Sequence, residues 1–144
     1  MAYKSLCLVL CLALFTMEAH GYNRYVAYRR SATFFQAWQL CRLHGGHLAT
    51  IETAEENARV EQAIKAVGQL NMVWIIGGTD LGAEGNFIWV GLNKKITYTN
   101  FNSWEPNGGT AQNCLAVGMS TVPKWNDINC SQVHDGYVCG FTTL

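Results

Sequence analysis

Apolar residues recur every three or four positions through the first part of the chain, and in short β-prone runs through the rest. Tyr22 to Tyr28 is aromatic and partly alternating, which predicts an opening strand. Thr33-Phe34-Phe35-Gln36 has the form of a capping box, in which a hydroxyl caps the helix and a Gln three residues on reaches back. Phe34, Trp38 and Cys41 then follow at helical spacing as a buried face, and Gly45-Gly46 supplies the flexible backbone that ends the helix. A second box, Thr53-Ala54-Glu55-Glu56, predicts another helix with Val60, Ile64 and Val67 as its stripe and Gly68 as its close. From Met72 onward the pattern predicts strands at Val73 to Ile76, Phe87 to Val90, Ile96 to Tyr98, Cys114 to Val117 and Tyr137 to Phe141, separated by Gly and Asn. Asn100 to Thr110 carries Pro106 and Gly108-Gly109 and has no period, so it predicts a long surface loop, the kind of segment where function concentrates.

The start of the chain adds a compartment. One positive charge by Lys4, an unbroken apolar run from Leu6 to Phe15 and the small residues of Ala19-His20-Gly21 read as a secretory signal over residues 1–21, followed by a secreted, extracellular domain over 22–144. The apolar run is far shorter than the roughly 20 residues that span a bilayer, and no later stretch replaces it, so no membrane span is expected. About 120 residues make one domain, with no internal repeat and no low-complexity segment. Ten basic and ten acidic residues balance, and removing Lys4 with Glu18 keeps the balance, which points to a neutral ligand rather than nucleic acid or an anionic membrane. Of six cysteines, Cys7 and Cys11 leave with the signal; Cys41, Cys114, Cys130 and Cys139 imply two bridges, and spacing leaves all three pairings open.

The order Trp38, Cys41, Gly45, Leu48, Ala49, Gly77, Trp89, Glu105-Pro106-Asn107, Cys114, Trp125-Asn126-Asp127, Cys130, Cys139 resembles the C-type lectin domain over essentially the whole mature chain. The resemblance implies an α+β fold, two helices packed on small antiparallel sheets with a long calcium-binding loop, and the pairing Cys41–Cys139 with Cys114–Cys130. It also implies a Ca2+ held by Glu105, Asn107, Gln112, Asn126 and Asp127, and a sugar of the mannose, fucose or N-acetylglucosamine type held through that ion by Glu105, Asn107, Gln112 and Asn126. A cis bond before Pro106 is implied too. Two departures are visible: the family's Trp-Ile-Gly strand reads Ile75-Ile76-Gly77 with Trp74 one place earlier, and the family's Glu before the third cysteine is Gln112. That second change leaves two carboxylates where the family has three, which lowers Ca2+ affinity. Asp80 and Glu84 match two acidic positions of an auxiliary ion site, whose other two positions hold Gly108 and Asn113.

Other chemistries fit less well. His44 and His47 flank a helix end and read as surface or capped histidines rather than zinc ligands. An enzyme needs a nucleophile beside a base, and the nearest pair, Cys41 with His44, is consumed by a bridge. The aromatic residues read as core packing rather than a stacking platform for single-stranded nucleic acid. The alternative class is a C-type lectin-like module with weak or no Ca2+ that binds a protein. Expected partners are glycans or glycoproteins, microbial surface sugars among them. Asn129-Cys130-Ser131 is formally a glycosylation acceptor, with low occupancy expected because its middle residue is bonded. No heptad stalk or collagen-like repeat follows the signal, and the oligomeric state stays open.

Overall fold

The computed structural model describes residues 24–142, so the signal expected over 1–21 and the domain's first residues lie outside the described residues. In chain order the elements are β1 (Arg24–Tyr28), α1 (Phe34–Leu43), β2 (His47–Leu48), α2 (Ala54–Lys65), β3 (Val73–Thr79), β4 (Ile88–Trp89), β5 (Lys94–Lys95), a 3-10 turn (Gly109–Ala111), β6 (Cys114–Gly118), β7 (Trp125–Ile128) and β8 (Gly136–Phe141). The strands hydrogen-bond along the path β1-β8-β3-β4-β5, with β2 joined to β8 and β6 joined to both β3 and β7. All pairings are antiparallel except β3 with β8, where Trp74 and Ile75 run alongside Gly136 and Tyr137.

Alternation along the strands divides the core between the helices. Trp74 and Ile76 of β3 join Leu115, Val117, Trp125 and Val138 beneath Val60 and Ile64 of α2. Ile75 instead joins Ala116, Tyr137 and Leu48 beneath Phe34, Ala37 and Cys41 of α1. The displaced tryptophan therefore sits on the α2 face, fully buried, with its indole N–H donated to the Gln69 carbonyl at 2.9 Å. Both expected bridges are formed, Cys41–Cys139 and Cys114–Cys130.

The caps carry much of the local logic. Thr33 and Gln36 form the reciprocal box, and α1 ends in a Schellman turn: Gly46 N–H reaches Cys41 O, Gly45 N–H reaches Arg42 O, and Gly45 takes φ 88°. At α2 the box is only half made. Thr53 Oγ1 accepts from Glu56 N–H at 3.1 Å, but the Glu56 carboxylate passes the cap and accepts from Glu52 N–H at 2.7 Å, beside the Tyr25 hydroxyl.

Three expectations shift. Trp38 is half-buried and Ala37 takes the place beneath α1, where a methyl group fits against the sheet. Val67 is 41% exposed, because α2 stops at Lys65 before its stripe completes another turn. Ile96 to Tyr98 is not a strand: the pairing falls on Lys94–Lys95 against Ile88–Trp89, and Ile96 and Tyr98 pack on the core from the connecting segment.

Candidate functional site

The loop after Asn100 is pinned to β7 before it reaches the candidate residues. Trp125 N–H donates to Asn100 O and Asn102 N–H to Trp125 O, both at 2.9 Å, and the Phe101 ring meets the Trp125 indole edge-on at 5.7 Å. Trp125 thereby fixes Asn126 and Asp127 on the strand relative to Glu105-Pro106-Asn107 on the loop. The Glu105–Pro106 bond is cis, as expected.

Glu105, Asn107 and Asp127 form one connected cluster. The buried Asp127 carboxylate accepts from Gly108 N–H at 2.8 Å and Asn107 N–H at 3.2 Å. Glu105 Oε2 accepts from Asp127 N–H at 3.3 Å, and its Oε1 accepts from the Asn107 side-chain amide at 3.0 Å. Desolvation, together with a hydrogen bond to Asp127 and that residue's charge, pushes the Glu105 carboxyl up to about 7. Two acidic side chains thus face each other in a partly dry setting, where a cation would favour ionisation of both. Beside them opens a cavity of about 280 Å³ walled by Asp80, Glu84, Phe87, Pro106, Asn107 and Asp127 among others.

The remaining expected ligands are placed less directly. Asn126 is buried; its amide donates to Gly118 O and its Oδ1 accepts from Asn102, each at 3.0 Å, which leaves one lone pair of that oxygen for an ion. Gln112 lies across the Gly108 backbone, where a Cβ on residue 108 would collide with Gln112 Oε1, and its side chain makes no hydrogen bond among the described residues. Gly108 is therefore the residue that lets Gln112 fold over the loop.

Around the cavity, Asp80 is buried with Oδ2 accepting from Gly85 N–H at 2.9 Å, while its Oδ1 and the Oδ1 of Asn113 have no partner among the described residues. Buried oxygens without donors are the kind of atom a cation satisfies. Desolvation and the charges of Asp80 and Asp127 push the exposed Glu84 carboxyl upward. Among the described residues no three of His, Cys, Asp and Glu are placed to hold a metal ion by themselves, so an ion here would depend on amide and main-chain oxygens beside the carboxylates, a donor set suited to Ca2+. The histidines are otherwise engaged: Trp38 donates its indole N–H to His47 Nδ1 at 3.3 Å, and His44 stacks on Tyr28 at 4.7 Å.

This arrangement of sheet, bridges and loop matches the family model for the lectin C-type domain over residues 30–141. The chain belongs to the C-type lectin family. Its relatives include a perlucin-like protein of Mytilus galloprovincialis, 33% identical over 69% of this chain and 64% of that protein. Human endosialin is 32% identical over 81% of this chain but only 16% of its own length, and human tetranectin 32% identical over 81% and 58%, so the chain spans less than two thirds of each. Among solved structures, the carbohydrate-recognition domain of cow CD23, determined in the presence of a GlcNAc2Man3 oligosaccharide, superposes with a TM-score of 0.72 at 30% identity over 83% of this chain and 88% of that one. A calcium-independent type II antifreeze protein shares the fold at a TM-score of 0.72 and 23% identity, over 87% and 90%. C-type lectin domains are typically binding modules rather than enzymes. The roles of Asn102, Phe87 and the Gly108 N–H around the cluster were not legible in the sequence; Asn102 shows only once β7 lies beside it.

Proposed function

We propose that this lectin domain binds Ca2+ at the Glu105-Asn107-Asp127 cluster and, through the ion, sugars of the mannose, fucose or N-acetylglucosamine type on glycans and glycoproteins, microbial surfaces included. The observation that carries the reading is the cluster itself: two facing carboxyl groups and a side-chain amide, brought from two segments by the Trp125 anchor. Gln112 completes the proposed shell by turning off Gly108, and Asn126 through the remaining lone pair of its Oδ1. Bound Ca2+ supplies a hard positive centre that accepts paired sugar hydroxyls as ligands. The protein's part is to orient them: Glu105 accepts from a hydroxyl and Asn107 donates to one. No helix among the described residues is long and apolar enough to cross a membrane, and we propose that the domain acts outside the cell after removal of residues 1–21.

A second reading has its own support, because the cluster is already internally hydrogen-bonded and Gln112 replaces a carboxylate. Under it the domain binds a protein without the ion. Retention on mannose-agarose with elution by EDTA distinguishes the two. The proposed function also expects a higher melting temperature in millimolar Ca2+ than in EDTA, since a ligand that binds only the folded state stabilises it. An unchanged melting temperature with no retention would reject the calcium reading.

A further inference from the structure

Formal neutrality hides a segregation of charge. Residues 24–51 contain four of the five arginines, Arg24, Arg29, Arg30 and Arg42, and not one Asp, Glu or Lys. The fold brings Arg24, Arg30 and Arg42 to α1, with Arg29 next in sequence to Arg30. Arg24 lies 4.3 Å over the Phe141 ring, and that ring packs against Gly46, whose carbonyl is 3.5 Å from Arg42 Nη1. Arg42 Nη1 also lies 2.9 Å from His47 Nε2. At the same end of α1, His44 stacks on Tyr28, the residue before Arg29 and Arg30, and Arg30 lines an open cavity of about 260 Å³ with Ser31, Gln36 and Gln39. All four arginines are exposed.

The described ion pairs are Lys65–Glu61 and Lys94–Glu52, and neither involves these arginines. Asp135, at the head of the neighbouring β8, turns its carboxylate to Val73 N–H at 2.8 Å. Mixed charge would serve solubility with less self-repulsion than four like charges on one face. None of these arginines lines the cavity beside Glu105.

We propose that the face around α1 binds a linear sulfated polysaccharide, independently of Ca2+. The residue type selects the chemistry. A guanidinium fork pairs bidentately with sulfate oxygens, whereas the compact ammonium of Lys suffices for the diffuse field of a lipid surface. The disposition selects a chain over a plane: Arg24 and Arg42 sit by Gly46 at the C-terminal end of α1 and Arg30 lies beside Gln36 and Gln39, along a helix about 15 Å long, so a flexible strand carrying repeated charges reaches them together.

The test uses heparin as the probe and the whole mature chain. The expected result is retention on immobilised heparin at 0.15 M NaCl despite a pI near 6.9, unchanged by EDTA. Replacing Arg24, Arg29, Arg30 and Arg42 with Gln should weaken heparin binding at least tenfold. Replacing Lys65, Lys94, Lys95 and Lys124 with Gln, an equal loss of charge elsewhere, should change it less than twofold. Circular dichroism and melting establish that each variant folds, and Arg29→Gln with Arg30→Gln serves as a milder pair. Failure of the parent to bind, equal losses in the Arg and Lys variants, or binding to phosphatidylserine vesicles without binding to heparin would each overturn the proposal.

Discussion

Immediately before Glu105 stands Trp104, 91% exposed and with φ at 69°. A non-glycine residue in the left-handed region carries roughly 1–2 kcal/mol of strain, and an indole in water recovers little of it by packing. Trp104→Gly removes that strain, offset in part by the greater freedom of glycine in the unfolded chain. The expected outcome is a gain of about 1 kcal/mol, read as a melting temperature higher by about 4 °C in thermal unfolding. A lower melting temperature would show that the indole makes a stabilising contact. No periodicity argument reaches this residue, because the signal is a backbone angle rather than a pattern of side chains.

Among the elements, α2 does more than cover the core. On its buried face Asn57 Oδ1 accepts from the Trp125 indole at 2.8 Å, and its amide donates to Pro123 O at 3.1 Å, so the helix holds the segment that leads into β7. Asn57→Ala leaves the indole N–H and the Pro123 carbonyl without this partner. The expected loss is about 3 kcal/mol in denaturant unfolding, in the range of a buried donor left unsatisfied plus a lost bond, with weaker Ca2+ binding as a consequence. Nothing local in the sequence marks Asn57, because its role depends on Trp125, 68 positions away. Both helices were legible from caps and spacing, since those signals are local. Of the two-residue strands, β4 falls within the expected run Phe87 to Val90, whereas β2 and β5 were not legible, because their partners in the sheet define them. The loop was legible as a loop, and the family resemblance singled out Glu105 and Asn107 on it and Asp127 on β7, which the fold brings together. The inward turn of Asn126 was not, because Gly118 and Asn102, which hold it, are distant in sequence.

For the whole molecule, the pairing of β1 with β8 sets Arg24 opposite Phe141, and the Cys41–Cys139 bridge closes a loop of 98 residues behind that pair. The consequence is mechanical. A load applied across residues 24 and 141 meets β1 first, and once β1 peels from β8 the tension runs through the Cys41–Cys139 sulfurs and bypasses nearly all that lies between. In single-molecule stretching the oxidised domain should lengthen by no more than about 70 Å as residues 24–41 and 139–141 straighten. Reduction of both bridges should expose a further extension of about 340 Å. Equal extension before and after reduction would show that the bridge does not carry the load. With the bridge intact, the cluster at Glu105 and Asp127 lies within the shielded loop, so the proposed site can hold a ligand while β1 is pulled away.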